Sequence, residues 1–178
     1  MRCDECGFDG DAKTNDELVA ACRGFVRRFT APLTRFLPAE DGPAILRRRP
    51  SGDVWSALEY AAHTRDALGF YVERITRVLA EERPTLTAVD WSTQAEVRGW
   101  NDEEPAAVAS SFATTTEELA ALLEGLDERQ WSRVGLSSEG TGDERSVRVL
   151  AERAVHEGHH HLLDIGRSLR AAREAGGT

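Results

Sequence analysis

The sequence of 178 residues lacks several features that mark whole classes of protein. It contains no apolar run of the roughly 20 residues that a membrane-spanning helix requires, and its first residues offer no apolar stretch for a signal peptide. Basic residues are outnumbered, 22 against 31 acidic ones, for a formal net charge of -9. That charge argues against binding to nucleic acid or to an anionic membrane surface. We therefore expect a single cytoplasmic domain.

The sequence also lacks the alternation of apolar and polar residues that predicts β-strands. Four segments instead repeat apolar residues with helical spacing, and prolines and glycines are concentrated between them. The first helix opens with Thr14 and Glu17 at capping-box spacing, the third begins near Pro105, and the fourth follows Ser146. The second is apolar around most of its girth and should be central. The pattern predicts an all-α four-helix bundle with long connecting loops and negligible sheet.

Cysteine is scarce, and three cysteines cannot form a closed disulfide framework. Cys3 and Cys6 have the spacing of half a structural zinc site, but the sequence contains no second such pair. We interpret them as two thiols without a partner, with zinc shared with a second copy or with a histidine as the alternative. The predicted organisation is a polar N-terminal arm over 1–14, the bundle over 15–173, and a disordered tail over 174–178.

Histidine is also rare, and it is concentrated in one place. Four of the five histidines lie in the fourth helix, and the fifth, His63, lies in the second. His156 and His160 are four residues apart, so their side chains project from one helix face and are suited to chelating one divalent ion. Gly158 lies between them, which suggests close approach of a neighbouring helix. A third ligand must come from another helix, and His63 is the only histidine left. Packed or solvated histidines without metal are the alternative.

Two strings place the chain beside a known family. The sequence WSALEYAAHTRD in the second helix and HEGHHHLLDIG in the fourth resemble the DinB/YfiT-like metal-dependent bundles, over about residues 15–170. The resemblance implies an up-down-down-up four-helix bundle with one divalent ion, often zinc or nickel, held by three histidines. Those positions correspond here to His63, His156 and His160. The family includes thiol-dependent transferases and isomerases, among them mycothiol-dependent maleylpyruvate isomerase, and related bacillithiol transferases.

A second register on the fourth helix stays open. Glu157 and His161 form another pair four residues apart, one step around the helix, and the maleylpyruvate isomerase pattern has a glutamate and a histidine at such spacing. We favour His156 and His160 because they share their helix face with two aliphatic residues.

Two acidic residues follow the histidines by about one helical turn. Asp66 lies three residues after His63 and could fix its tautomer by accepting a hydrogen bond. Asp164 stands in the same relation to the histidines of the fourth helix. The alternative is that both are ordinary surface acids that pair with Arg65 and Arg167.

Three neutral ligands would leave a position open on the ion, which is typical of a catalytic site. We therefore expect a metal-dependent enzyme that acts on a small molecule, as a thiol-dependent transferase or isomerase that uses a low-molecular-weight thiol such as mycothiol. Metal-assisted hydrolysis is the second candidate. A non-catalytic protein that binds metal or a small ligand is the third. A homodimer is compatible with each of them.

Overall fold

Four long helices make up most of the part of the chain that the computed structural model describes, which is residues 1–138 and 143–176. The long helices are α1 (Asn15–Thr34), α3 (Ala57–Ala80), α5 (Pro105–Glu124) and α7 (Val147–Gly176). Shorter helices, α2 (Gly42–Arg47), α4 (Gln94–Arg98) and α6 (Glu128–Trp131), lie in the connections. None of the described helices is long and apolar enough to cross a membrane.

The order of the helices around the bundle is not their order in the chain. Helix α1 packs against α5 and α7, and α3 packs against the same two helices. Helices α1 and α3 therefore lie diagonally opposite, as do α5 and α7, whereas α3 and α5 are neighbours, so the first and the last connection must cross an end of the bundle. This is the predicted four-helix bundle in up-down-down-up order. The capping box of Thr14 and Glu17 at the start of α1 is also confirmed.

Helix α3 buries 12 of its 24 residues, in agreement with its apolar girth. Its N-cap is Ser56, whose hydroxyl accepts from the Glu59 amide at 3.1 Å, while the Glu59 carboxylate accepts from the Ser56 amide at 2.8 Å. Glu59 is almost fully buried and pairs with the Arg49 guanidinium, whose Nε donates at 2.8 Å. A buried carboxylate is tolerated there because each of its oxygens accepts a hydrogen bond. The N-cap of α3 is thereby fixed, seven residues before His63.

A small sheet lies in the long connections, where only loops were expected. Strand β1 (Thr85–Leu86) pairs in parallel with β2 (Val134–Ser137), which pairs antiparallel with β3 (Glu144–Ser146). It ties the connection after α3 to the one before α7 and is minor beside the helices. Residues 139–142, in the predicted glycine-rich loop, lie outside the described residues.

The two ends of the chain differ from the expectation. Residues 1–14 do not stand in front of the domain as a separate arm, because Phe8 is only 3% exposed and belongs to the hydrophobic core. The carbonyl of Gly10 also accepts from the Arg148 guanidinium of α7 at 3.0 Å. At the other end, α7 continues to Gly176, so the predicted disordered tail is helical over 174–176, and residues 177–178 lie outside the described residues.

The close approach that Gly158 suggested is present, and the partner is an aromatic ring of α1. A Cβ atom at Gly158 would lie 2.3 Å from Cε2 of Phe25, whose side chain is fully buried. The glycine therefore allows α7 to lie directly on Phe25. By contrast, a Cβ atom at Gly166, on an exposed face of the same helix, would meet nothing within 4 Å.

We predict opposite effects for alanine at these two glycines. Gly166→Ala should raise the free energy of unfolding by up to about 1 kcal/mol, because alanine is the better helix former. Gly158→Ala should lower it by about 2 kcal/mol, because overpacking against a fixed ring costs more than the helix propensity returns. Urea denaturation of both variants tests this, and equal stabilisation by the two alanines would contradict the packing described here.

Candidate metal centre

The four histidines of α7 point in different directions. Successive residues of an α-helix are rotated by about 100°, so His156 with His160, and Glu157 with His161, form two neighbouring faces. The second of these pairs faces α3, and the first faces the N-terminal segment. His159 belongs to neither pair and packs against the rings of Phe8 and Phe25.

His63 of α3 meets the pair that faces it. Its Nε2 lies 3.6 Å from Oε2 of Glu157, and Nε2 of His161 lies 3.3 Å from the same oxygen. Ligands of a tetrahedral ion with bonds of about 2.0–2.2 Å are separated by about 3.3–3.6 Å. Each imidazole nitrogen therefore already lies from the carboxylate oxygen at the spacing that two ligands of one divalent ion have, and one ligand atom from each of the three residues lies within 4.8 Å of the others.

The structure does not bring His63, His156 and His160 together. Among the described residues, the cluster that contains His63 has Glu157 and His161 as its other members, which is the alternative register. The two aliphatic residues that favoured the other register, Val149 and Leu163, are only half-buried. The buried stripe of α7 runs instead through Leu150, Ala154, Gly158, Ile165 and Leu169, and Glu157 and His161 lie along it.

Three tryptophans surround His63, and sequence reasoning gave them no role. The His63 ring lies 5.1 Å from the rings of Trp55 and Trp91 and 5.4 Å from that of Trp100, measured between centroids. His63 is 3% exposed, and this burial holds its pKa below the ordinary value. The imidazole is therefore neutral near pH 7, which is the form that binds a metal ion. Its Nδ1 is buried and has no hydrogen-bond partner among the described residues.

Asp164 makes the contact expected of it, with one histidine of the candidate site. Its Oδ2 lies 3.0 Å from Nδ1 of His161, which leaves Nε2 of that ring directed at Glu157. A carboxylate on the far nitrogen of a ligating histidine fixes the ring and its tautomer. Asp164 also pairs with Arg167 at 3.4 Å, so both readings of this residue hold at once.

Asp66 does not contact His63. Its carboxylate accepts from Nε1 of Trp100 at 2.9 Å, from Arg65 at 2.8 Å and from Arg98 at 3.0 Å. It acts on His63 without contacting it, because its charge favours the protonated ring and because it holds the tryptophan that packs against the imidazole. The expectation of a direct hydrogen bond was wrong, and the pairing with Arg65 is confirmed.

In the metal-free protein, an ionised Glu157 and a protonated His161 balance each other's charge within the cluster. Burial by itself would raise the pKa of Glu157, but hydrogen bonds with His161 and His63 outweigh it and hold that pKa well below its usual range. Burial would lower the pKa of His161, but Asp164 and Glu157 raise it to about 9. His161 is therefore an imidazolium at neutral pH until a cation takes the place of its proton.

A cleft reaches the side of the cluster. Tyr60 and Asp164, which both contact His161, also line a cavity of about 370 Å³ together with Pro50, Val54 and Arg167. The rings of Tyr60 and His161 are stacked with centroids 5.4 Å apart. A small molecule in this cleft would contact the residues that hold His161.

The fold and the cluster together define a helical bundle with a His-Glu-His group between two of its helices. The chain matches the DinB superfamily over residues 41–165 and belongs to it. It is similar to the structure of YfiT from Bacillus subtilis, a probable metal-dependent hydrolase with an unusual four-helix bundle topology, at 16% identity and a TM-score of 0.76, over 92% of this chain and 89% of that one. It is also similar to mycothiol-dependent maleylpyruvate isomerase, at 15% identity and a TM-score of 0.62, over 89% of this chain and 63% of that one. No curated protein sequence matches it.

The raised pKa of His161 leads to a prediction for the metal-free protein. NMR titration of protein treated with a chelator should give His161 a pKa near 9. Asp164→Asn should lower this pKa by about 1 or more, because it removes a negative charge at hydrogen-bond distance. Because the pKa of His161 is raised in the folded state, its protonation adds to the free energy of unfolding. This contribution is complete below about pH 6.5 and is lost as the pH rises through about 9. Asp16→Asn, at an exposed position on α1, is the control and should leave the titration of His161 unchanged.

Proposed function

We propose that this protein is a metal-dependent enzyme whose ion is held by His63, Glu157 and His161. The observation that carries this is the convergence of two imidazole nitrogens, from α3 and α7, on one oxygen of Glu157. Three protein ligands leave a coordination position for a substrate or a solvent molecule, as in catalytic rather than structural sites. This set replaces the three histidines favoured by the sequence.

The donor atoms agree with a borderline cation. Two imidazoles and one carboxylate suit zinc and nickel, whereas magnesium and calcium prefer a shell of oxygen ligands. His63 is neutral, whereas His161 is protonated and must give up its Nε2 proton when it ligates. Binding of the ion therefore releases one proton and leaves both rings neutral. Zinc and nickel are therefore the ions we expect.

The residues around the site have separable roles. When bound, a divalent ion supplies Lewis acidity, which favours deprotonation of a thiol or water and polarises a substrate oxygen. Asp164 keeps the proton of His161 on Nδ1 and so aims Nε2 inward. Trp55, Trp91 and Trp100 exclude water from the His63 side, which strengthens electrostatic interactions within the site. Tyr60 lines the cleft beside His161, which we assign to the small molecule.

The reaction that we propose first is thiol-dependent transfer or isomerisation on a small molecule. The similarity to the mycothiol-dependent isomerase supports it, as does the fit of a thiol to an open position on zinc. Hydrolysis is the second candidate, and a specific observation favours it: the similarity to YfiT extends over 89% of that chain, against 63% of the isomerase.

We predict that loss of a ligand removes one ion per chain. Protein purified without a histidine tag should lose one equivalent of metal on His161→Ala, because a histidine and a glutamate alone hold the ion poorly. His159→Ala on the same helix is the matched control, since that ring packs against Phe8 and Phe25 instead. Elemental analysis makes the comparison, and unchanged metal content in the His161 variant would contradict the assignment.

A second prediction separates the two reactions. With the metal-loaded protein, turnover of an unsaturated or electrophilic acid such as maleylpyruvate should require an added thiol and saturate with it. Asp164→Asn should lower the rate or the metal affinity by about 10–100-fold, because the carboxylate orients a ligand without binding the ion. Turnover of ester or amide substrates at a rate independent of thiol would instead identify the hydrolase.

A further inference from the structure

The two cysteines near the N-terminus meet the two histidines that the first centre leaves unused. Cys3, Cys6, His156 and His160 each offer one ligand atom, and these four atoms all lie within 4.8 Å of one another. Cys3 and Cys6 are separated by two residues, and His156 and His160 by three. Both spacings are those of a zinc site with two cysteines and two histidines. The two halves of the pattern are about 150 residues apart in the chain and are joined only by the fold.

A tight turn positions the thiols. The Cys3 amide donates to the carbonyl of Phe8 at 2.9 Å, and the Gly7 amide donates to the carbonyl of Cys3 at 3.0 Å. Gly7 has a φ of 71°, in the left-handed region that glycine adopts without strain. Phe8 then enters the core beside the ring of His156, with centroids 5.8 Å apart. The turn is therefore held against α7 by backbone hydrogen bonds and by a buried ring.

His160 is oriented as a ligand is. Its Nδ1 lies 3.7 Å from Sγ of Cys3, close to the separation of about 3.6 Å expected across a tetrahedral zinc ion with one sulfur and one nitrogen ligand. Its other nitrogen, Nε2, lies 3.6 Å from a carboxylate oxygen of Glu5 and 3.7 Å from one of Asp164. One nitrogen toward the thiols and one toward carboxylates is the arrangement seen around metal-bound histidines.

His156 completes the group. Its ring lies 5.3 Å from that of His160, and its Nε2 is buried without a hydrogen-bond partner among the described residues. A buried imidazole with an unpaired nitrogen costs free energy unless the ring is held by another strong interaction. Coordination of the ring to an ion that the two thiols also bind would provide that interaction.

We propose that Cys3, Cys6, His156 and His160 form a second metal site, which binds zinc and fastens the N-terminal segment to α7. Two sulfur and two nitrogen ligands at this spacing select zinc among the common divalent ions. Four protein ligands fill a tetrahedral shell, so the site is structural and leaves no position for a substrate. On binding, the two thiols release their protons to solvent and become thiolates. This proposal replaces the interpretation of Cys3 and Cys6 as two thiols without a partner.

Cobalt substitution of the full-length, untagged protein tests this site, because a thiolate bound to Co²⁺ gives an intense charge-transfer band that imidazole and carboxylate ligands do not give. Wild-type protein should bind two ions per chain and show the band. Replacing both cysteines, Cys3→Ser with Cys6→Ser, should remove one ion and the band. Cys22→Ala is the matched control, because Cys22 is buried in the core and belongs to neither cluster, and it should retain both ions and the band.

The same measurement keeps the two sites apart. His161→Ala should remove one ion and leave the thiolate band, and His160→Ala should weaken the band. If wild-type protein showed no thiolate band, or if the band survived loss of both cysteines, the second site would be wrong. If His161→Ala removed no ion while the band behaved as expected, the second site would stand and the first would fall.

A chemical measurement on wild-type protein tests the binding of zinc by the thiols without relying on a variant that folds. Zinc-loaded protein should protect Cys3 and Cys6 from alkylation, measured by mass spectrometry, and a chelator should expose them while the helical circular dichroism is retained. Alkylation of both thiols at the same rate with and without zinc would overturn the proposal even if the double-serine variant does not fold.

Discussion

The rotation of about 100° between successive residues of an α-helix is the constraint on which both clusters depend. It turns the six residues from His156 to His161 into two chelating pairs that face different partners. Glu157 and His161 meet His63 of α3, whereas His156 and His160 meet the two thiols of the N-terminal turn. Gly158 makes the arrangement compatible with the bundle, because only a residue without a side chain lets this stretch of α7 lie on Phe25.

Desolvation and neighbouring charges determine the protonation states in the cluster of His63, Glu157 and His161. His63 lies under three tryptophan rings, and two of these, Trp91 and Trp100, come from the long connection after α3 rather than from the bundle itself. That connection is anchored by the Asp66 carboxylate, which accepts from the indole of Trp100. Burial keeps His63 neutral, while the neighbouring carboxylates keep His161 protonated. One ring of the site is thus ready to ligate, and the other must first lose a proton.

Most of the fold could be predicted from the sequence, because helical periodicity and caps are local signals. The bundle, the capping box of Thr14 and Glu17, and the extensive burial of α3 all follow from residues close together in the chain. The register of the candidate ligands on α7 was harder to predict. Two aliphatic neighbours favoured His156 and His160, although the longer stripe of Leu150, Ala154 and Ile165 passes through the other pair. That stripe was the better signal, since it reports which face of α7 is buried along the whole helix.

Features that depend on long-range contacts could not be read in this way. Nothing in the local sequence of Trp91 or Trp100 indicates that either packs on His63, because the connection that carries them has no regular pattern. The cysteine pair and the histidine pair each have a recognisable spacing, but each is only half of a site. A spacing rule usually joins halves that are near in sequence, and here the bundle joins the first turn of the chain to its last helix. The sequence offered one indication, which is that the cysteine pair and the histidine pair each lacked the second pair of ligands that a closed zinc site needs.

The two clusters are also physically connected, and Asp164 is the link. One of its oxygens lies 3.0 Å from Nδ1 of His161 and 3.7 Å from Nε2 of His160, so a single carboxylate contacts one histidine of each cluster. A shift of this carboxylate would therefore change the surroundings of both rings. His160 and His161 are also adjacent residues of α7. Because His160 faces the thiols of the N-terminal turn and His161 faces α3, two consecutive residues and one shared acid join the turn to the cluster of His63, Glu157 and His161.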